Sequence, residues 1–271
     1  MNRSLPALKL RHSPLIYVIA QVRISAVVSV GKFVPEIQEQ LRHRGFPRFK
    51  RNETREFLLT PGAEPKITTV ERFEFQDKES RSGIILASDF VALHATRYDV
   101  YEQFAETLAT ALEIVHRVMN ISLVERIGLR YVDLVRVGVR ESLSDYLRSG
   151  LLGLDPSELG VSKALSRFEF VGLSEVGKLV VRCYNQEPGT LLPPDLTPGT
   201  LRQDVEIDPE DLPYLLDFDH YSEESQDFNV GAVLEIMGRL HDNLDRAFRA
   251  AVTEGALVKW GRQDVEEAQT S

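Results

Sequence analysis

The sequence predicts an α+β fold in two similar halves. Each half is a strand, a helix, a group of antiparallel strands and a long helix, and together they form a curved antiparallel sheet covered by the long helices. Three observations predict it. Short runs rich in Val, Ile and Phe recur between turn-forming residues, two long amphipathic stripes each close a series of strands, and short stretches repeat in the same order in both halves. The first half is expected at 14–120 and the second at 121–260, able to share one continuous sheet, with 1–13 and 261–271 as flexible tails.

"PLIYVIAQVRISAVVSV" at 14–30 is dense in Val and Ile and reads as a long strand. In "KFVPEIQEQLRHRGF", Phe33, Val34, Ile37 and Leu41 recur at helical spacing, and Gly45 is placed to stop the helix. "REFLLT", "KITTVERFEFQD" and "SGIILASDFVALHATRY" follow as antiparallel strands, divided by "PGAEP" and "KESRSG". "DVYEQFAETLATALEIVHRVM" sets Phe104, Leu108, Leu112, Val115 and Met119 on one stripe, with Asp99 as its N-cap.

The second half opens with "SLVERIGLRYVDLVRVGV" at 122–139, apolar at odd positions, and continues through a short helical candidate around "ESLSDYLRSG". "LSRFEFVGLS", "GKLVVRCYN", "TLRQDVEID" and "PYLLDFDHYS" read as four more strands. The last helix, "NVGAVLEIMGRLHDNLDRAFRAAVT", turns Val233, Leu234, Met237, Leu240, Leu244, Phe248 and Val252 inward, capped by Asn229 or Asp227. The polar tail "RQDVEEAQTS" is expected to fray.

"RFEF" occurs at 72–75 and again at 167–170, and "ALEIVHRV" at 111–118 aligns with "VLEIMGRL" at 233–240. Their common order argues for duplication. The Pro-rich loop "EPGTLLPPDLTPG" at 187–199 is a natural place for extra length in the second half. The plan is similar in topology to TATA-binding-protein-like and helix-grip folds. "SPLIYVIAQVRIS", "RIGLRYVDLV" and "LLDFDHY" together resemble a sporadically distributed family of bacterial proteins of about this length, without an established activity. The resemblance runs from about Pro14 to Trp260 and carries over no catalytic residue. It implies a patchily inherited accessory protein that acts with a neighbouring gene product.

Composition narrows the function classes. The chain is 43% hydrophobic and 27% charged, and its 41 acidic against 32 basic residues give a net charge of -9. Such a field repels phosphate backbones and disfavours nucleic acid as a partner. Cys183 is the single cysteine, which excludes an intramolecular disulfide and a cysteine-rich zinc site. The N-terminus lacks the apolar run of a signal peptide, and no stretch approaches the roughly 18 apolar residues of a membrane span. A soluble cytoplasmic protein without a membrane partner is expected. "GLSEVGKL" imitates a phosphate loop, but Leu179 stands where a magnesium-binding Ser or Thr is required. It reads as a hairpin turn, and no cofactor is expected.

The candidate site residues begin with Arg126, Arg130 and Arg136, which share one side of the 122–139 strand beside Gly128. Arg23 in the corresponding first-half strand extends that side. Guanidinium groups so placed suit an anionic group or an acidic peptide. They equally suit ion pairing across a solvated sheet face. Asp133 breaks the apolar side and needs a partner, because an unpaired buried carboxylate is costly. It marks the end of the buried stretch, pairs with an arginine, or has a catalytic role. Asp217 and Asp219 share a strand face with His220 opposite, a weak candidate for a cation or for acid/base chemistry. The bland account is a strand running into an acidic loop before a helix N-terminus. His116 and His241, on long helices, read as packed or solvated. Trp260, with Tyr17, Tyr98, Tyr101 and Tyr221, is an interface aromatic or a staple between sheet and helix. The expected function is an accessory binding protein that recognises a protein, peptide or small ligand on the sheet face, or pairs as a homodimer. The alternative is an enzyme with its polar site around Asp217, Asp219 and His220; no catalytic set is identified.

Overall fold

The computed structural model describes residues 8–58, 66–138, 140–154, 158–161, 165–185, 191–196, 199–205 and 214–263. Its strands are β1 (Lys9–Leu10), β2 (Leu15–Ile24), β3 (Arg48–Leu58), β4 (Lys66–Gln76), β5 (Ser82–Ala87) and β6 (Phe90–Ala95). They continue as β7 (Leu123–Val135), β8 (Arg167–Leu173), β9 (Lys178–Asn185), β10 (Tyr214–Ser222), β11 (Gln226–Asp227) and β12 (Arg262–Gln263). The helices are α1 (Val34–His43), α2 (Tyr101–Met119), α3 (Val230–Ala251) and α4 (Glu254–Lys259).

The two strands richest in Val, Ile and Leu pair with each other. β2 and β7 lie antiparallel inside a ten-stranded sheet of order β3-β4-β5-β6-β2-β7-β10-β9-β8, with β11 added beside β7. Every pairing is antiparallel, so alternation decides which side chains share a face. One face carries Val18, Ala20, Val22, Ile127, Leu129, Leu216 and Phe218 into the main core. The inward stripes Phe104, Leu108, Leu112 and Val115 of α2, and Val233, Met237, Leu240 and Leu244 of α3, join that core. Each such Leu, Ile or Phe stabilises the fold by about 1.5–3 kcal/mol. The opposite face bears a smaller core of Tyr17, Val132, Leu134, Tyr184 and Leu215, closed by Leu192 from the Pro-rich connection.

The helices start and stop for local reasons. Asn229 caps α3, its Oδ1 accepting from the Ala232 amide at 2.9 Å. Gly45, with φ at +96°, lies just past α1, where only glycine adopts that backbone cheaply. Asp99 is not the cap of α2; Val100 holds that position, and the Asp99 carboxylate pairs with Lys9 at 3.3 Å instead.

Other expectations are revised. The first long strand ends at Ile24; beyond it Val28 is 94% exposed, while Val30 returns to the core. "ESLSDYLRSG" forms two short 3-10 turns, the first fixed by a reciprocal capping box between Ser142 and Asp145. Within "TLRQDVEID", residues 201–205 are not a strand, and 206–208 lie outside the described residues. The described parts of both tails are tied down, since Lys9 pairs with Gln263 and Leu10 with Arg262. The rest of the tails lies outside the described residues. Among the described residues, no helix is long and apolar enough to cross a membrane.

Trp260 is 9% exposed and packs against Tyr146 and Phe248, with ring centroids 5.9 and 6.0 Å away. It therefore fastens the C-terminal segment to the core rather than standing open. Trp260→Ala is expected to lower the unfolding free energy by about 3 kcal/mol in urea titrations.

Candidate functional site

The arginine-bearing face is largely engaged in internal pairing. Arg130 is 8% exposed, and its guanidinium forks onto Asp217, Nε at 2.6 Å from Oδ1 and Nη2 at 2.8 Å from Oδ2. The same group donates to Asp195 at 2.6 and 3.2 Å. Arg182 completes the network, donating to Asp217 at 3.1 Å and to Glu169 at 2.6 Å. Asp195 belongs to the Pro-rich connection, which lies across this face of the sheet. Its carboxyl is held below the usual range, chiefly by the hydrogen bonds from Arg130.

The connection seals a second polar group farther along. The Tyr17 hydroxyl is 3.0 Å from His94 Nδ1, and His94 Nε2 is 3.2 Å from Glu74 Oε1 with the ring poorly aligned for a hydrogen bond. Gln76 and Thr200 donate to Glu74 at 2.9 and 3.1 Å. Burial alone would raise the Glu74 carboxyl, but His94, Gln76 and Thr200 hold it at about 2. Gly199, with φ at +60°, lets the connection pass close: a Cβ there would sit 2.8 Å from Glu74 Oε1.

The other expected residues do not gather round Arg130. Arg126 lies nearer the open end, its guanidinium carbon 4.1 Å from the centre of the Tyr221 ring and Nη1 3.4 Å from Gln21 Oε1. Arg23 is opposite Arg126 in register and pairs with Asp89 at 3.4 Å. Arg136 is exposed beyond the end of β7. The sheet separates the acidic candidates from His220. Asp217 and Asp219 face the arginines, with burial raising the Asp219 carboxyl. His220 faces the main core, Nε2 2.9 Å from Ser174 Oγ and Nδ1 3.3 Å from the Leu240 carbonyl. Ser174 in turn closes the β8–β9 hairpin through its bonds with Val176 and Gly177, so this Ser–His contact braces a turn. Among the described residues no group of His, Cys, Asp or Glu is placed to hold a metal ion.

A better-formed site lies on the main-core side. A cavity of about 580 Å³ opens between β1, the start of β2, the end of β7, the N-terminus of α2 and α3. Tyr98, Tyr101, Tyr131, Phe218 and Phe248 supply its aromatic walls. Alternation along β7 sends Asp133 inward after Ile127, Leu129 and Tyr131. Asp133 is 4% exposed, lines the cavity, and has no hydrogen-bond or ion-pair partner among the described residues. Burial pushes its carboxyl up to about 8, with the charge of Asp217 adding to the effect. It is neither paired with an arginine nor the end of the buried stretch, since Leu134 and Val135 beyond it are buried too.

Beside Asp133 runs a short hydrogen-bond chain. The Tyr98 and Tyr131 hydroxyls are 3.1 Å apart, and Tyr131 reaches His241 Nδ1 at 3.1 Å. The His241 ring stacks on Tyr101 at 4.0 Å and 3°, and burial lowers its pKa. The His241 tautomer sets the order: with Nδ1 as acceptor Tyr131 donates to His241 and Tyr98 to Tyr131, and with Nδ1 protonated the direction reverses. Gly238, His241, Asp242 and Asp245 line the cavity from α3 at helical spacing. Gly238 sits mid-helix, where glycine costs about 1 kcal/mol against alanine. Its missing side chain widens the cavity, because the atom nearest to a Cβ there would be Tyr101 Oη at 3.8 Å.

Asp133, Tyr98, Tyr101 and His241 each stand out in the sequence, but singly. Gly238 carries the additional signal of a glycine inside a strong helical stripe. Only the packing of α2 and α3 against β7 brings the five together. No protein-family model matches this chain, and no curated protein matches it.

Proposed function

We propose that the chain is a binding protein that holds a small organic molecule in the cavity between β7, α2 and α3. The observation that carries this reading is Asp133, a buried and unpartnered carboxyl lining a 580 Å³ cavity with aromatic walls. Ligand sites typically combine about 300–1,000 Å³ of largely apolar wall with a few convergent polar groups. A group with a strongly displaced pKa in a cleft is a functional candidate in its own right. Gly238→Leu fills the cavity from a helix that gains propensity by the change. Fragments detected by ligand-observed NMR on the wild type are expected to lose their signal on this variant, with the melting temperature equal or higher. Fragments that bind both proteins equally would place the ligand elsewhere.

The fold reads as two duplicated halves with their long helices over one sheet face. β4 and β8, which both carry "RFEF", are each the fourth strand outward from the β2–β7 seam. α2 follows β6 and α3 follows β10 with its short β11 extension, so each long helix comes after a strand adjoining that seam. On this reading the cavity lies at the junction of the halves, walled by both long helices.

A second reading keeps a protein or peptide partner on the opposite face. Arg126 over the half-exposed Tyr221 ring, with Lys178 5.6 Å from the same ring, is the kind of cluster found at interface centres. Retention of an acidic peptide at low salt that Arg126→Glu abolishes would support it, and equal retention would remove it.

A further inference from the structure

We propose that the cavity selects a small organic ammonium, a protonated amine carried on a flat aromatic body. This rests on the reading of the cavity as a ligand site and adds the ligand's chemical class.

The charge around the cavity is acidic and disfavours anions. Asp99, Glu102, Asp133, Asp242 and Asp245 line it, against Lys9 and Arg246. Lys9 and Asp99 pair at 3.3 Å and Asp245 pairs with Arg249 at 2.9 Å, so Glu102 and Asp242, with Asp133 once ionised, set the field toward a ligand. Asp133, at the buried end, has no hydrogen-bond or ion-pair partner among the described residues and holds its own proton near neutral pH; a bound cation ionises it by supplying both a donor and an opposing charge. An ammonium N–H supplies that donor together with the opposing charge, which a neutral hydroxyl does not.

The walls suit the same ligand. Each of the Tyr98 and Tyr131 hydroxyl oxygens, linked to each other at 3.1 Å, keeps lone-pair capacity for a donor on a bound molecule. Such a wall can accept hydrogen bonds. Aromatic side chains such as Tyr98, Tyr131 and Phe218 in the lining favour a cation and an aromatic body wherever a ring face is open to them. Desolvation strengthens both effects, because water is the competitor for the ammonium.

The test compares three molecules that share one ring system and differ in charge: tryptamine, tryptophol and indole-3-acetate. Their affinities are measured by calorimetry on the full chain and on Asp133→Asn and Gly238→Leu, with thermal melts confirming that both variants are folded. Tryptamine is expected to bind the wild type at least about tenfold more tightly than tryptophol, with indole-3-acetate the weakest. In Asp133→Asn the preference for tryptamine should fall to within about threefold, with tryptophol unchanged. Equal binding of tryptamine and tryptophol to the wild type, or a preference that survives Asp133→Asn, overturns the ammonium assignment. If those two still lose binding in Gly238→Leu, the cavity itself stands as a ligand site. Failure of all three to bind the wild type at millimolar concentration overturns both readings.

Discussion

Arg130→Ala is expected to lower the unfolding free energy by about 3–5 kcal/mol, the range for breaking one side of a buried ion pair. Asp217 is fully buried, and without Arg130 it keeps only the single bond from Arg182 at 3.1 Å. Asp195 loses both of its bonds from Arg130, so the Pro-rich connection also loses one of its anchors on the sheet. Arg130→Lys preserves the charge but not the fork, and should fall between the wild type and the alanine variant. Arg126→Ala is the control. Its side chain is half-buried and rests on Tyr221 without a carboxylate partner in contact among the described residues, so its loss should cost no more than about 1 kcal/mol. Urea titration with an unchanged m-value checks all three. An Arg130→Ala variant as stable as Arg126→Ala would mean that the network does not hold the fold.

Asp133→Asn is expected to stabilise the protein, by an amount that grows with pH. The folded carboxyl titrates at about 8, against an ordinary value of 3.8. Below about pH 4 the group is protonated in both states, and the variant has little advantage. As pH rises toward 8 the unfolded chain releases this proton while the folded chain keeps it, so the wild type loses stability. The loss is about 1.4 kcal/mol per unit of displacement, which makes the gain from Asn on the order of 5 kcal/mol near pH 8 at most, levelling above it. Urea midpoints at pH 4, 6 and 8 would reveal the trend. A gap independent of pH would show that Asp133 ionises normally in the folded protein. A residue that weakens its own fold in this way has the profile of one retained for function.

The faces of the strands were legible in the sequence, and their surroundings were not. Alternation placed Arg126 and Arg130 on one side of β7 and Asp133 on the other, because side chains in a strand alternate whatever packs against them. The helical stripes of α2 and α3 were equally plain, since a period near 3.6 follows from the helix alone. Nothing local, however, shows that a Pro-rich connection returns across the sheet to bring Asp195 onto Arg130 and Thr200 onto Glu74. That placement depends on pairings between residues far apart in the chain, and it sets Arg130, a candidate binding arginine, inside a buried ion-pair network. Asp133 was visible as a break in an apolar run. Tyr131 is on the same strand, but Tyr98 just before α2, Tyr101 at its start, and Gly238 and His241 on α3 are brought to it only by the fold.

Native mass spectrometry of the chain isolated from its own host, followed by denaturing spectra of the same sample, tests the binding account most directly. The account predicts a non-covalent small molecule on the wild type that disappears on denaturation and is missing from Gly238→Leu. A wild-type chain that carries no small molecule, or an adduct shared equally by both proteins, would contradict it.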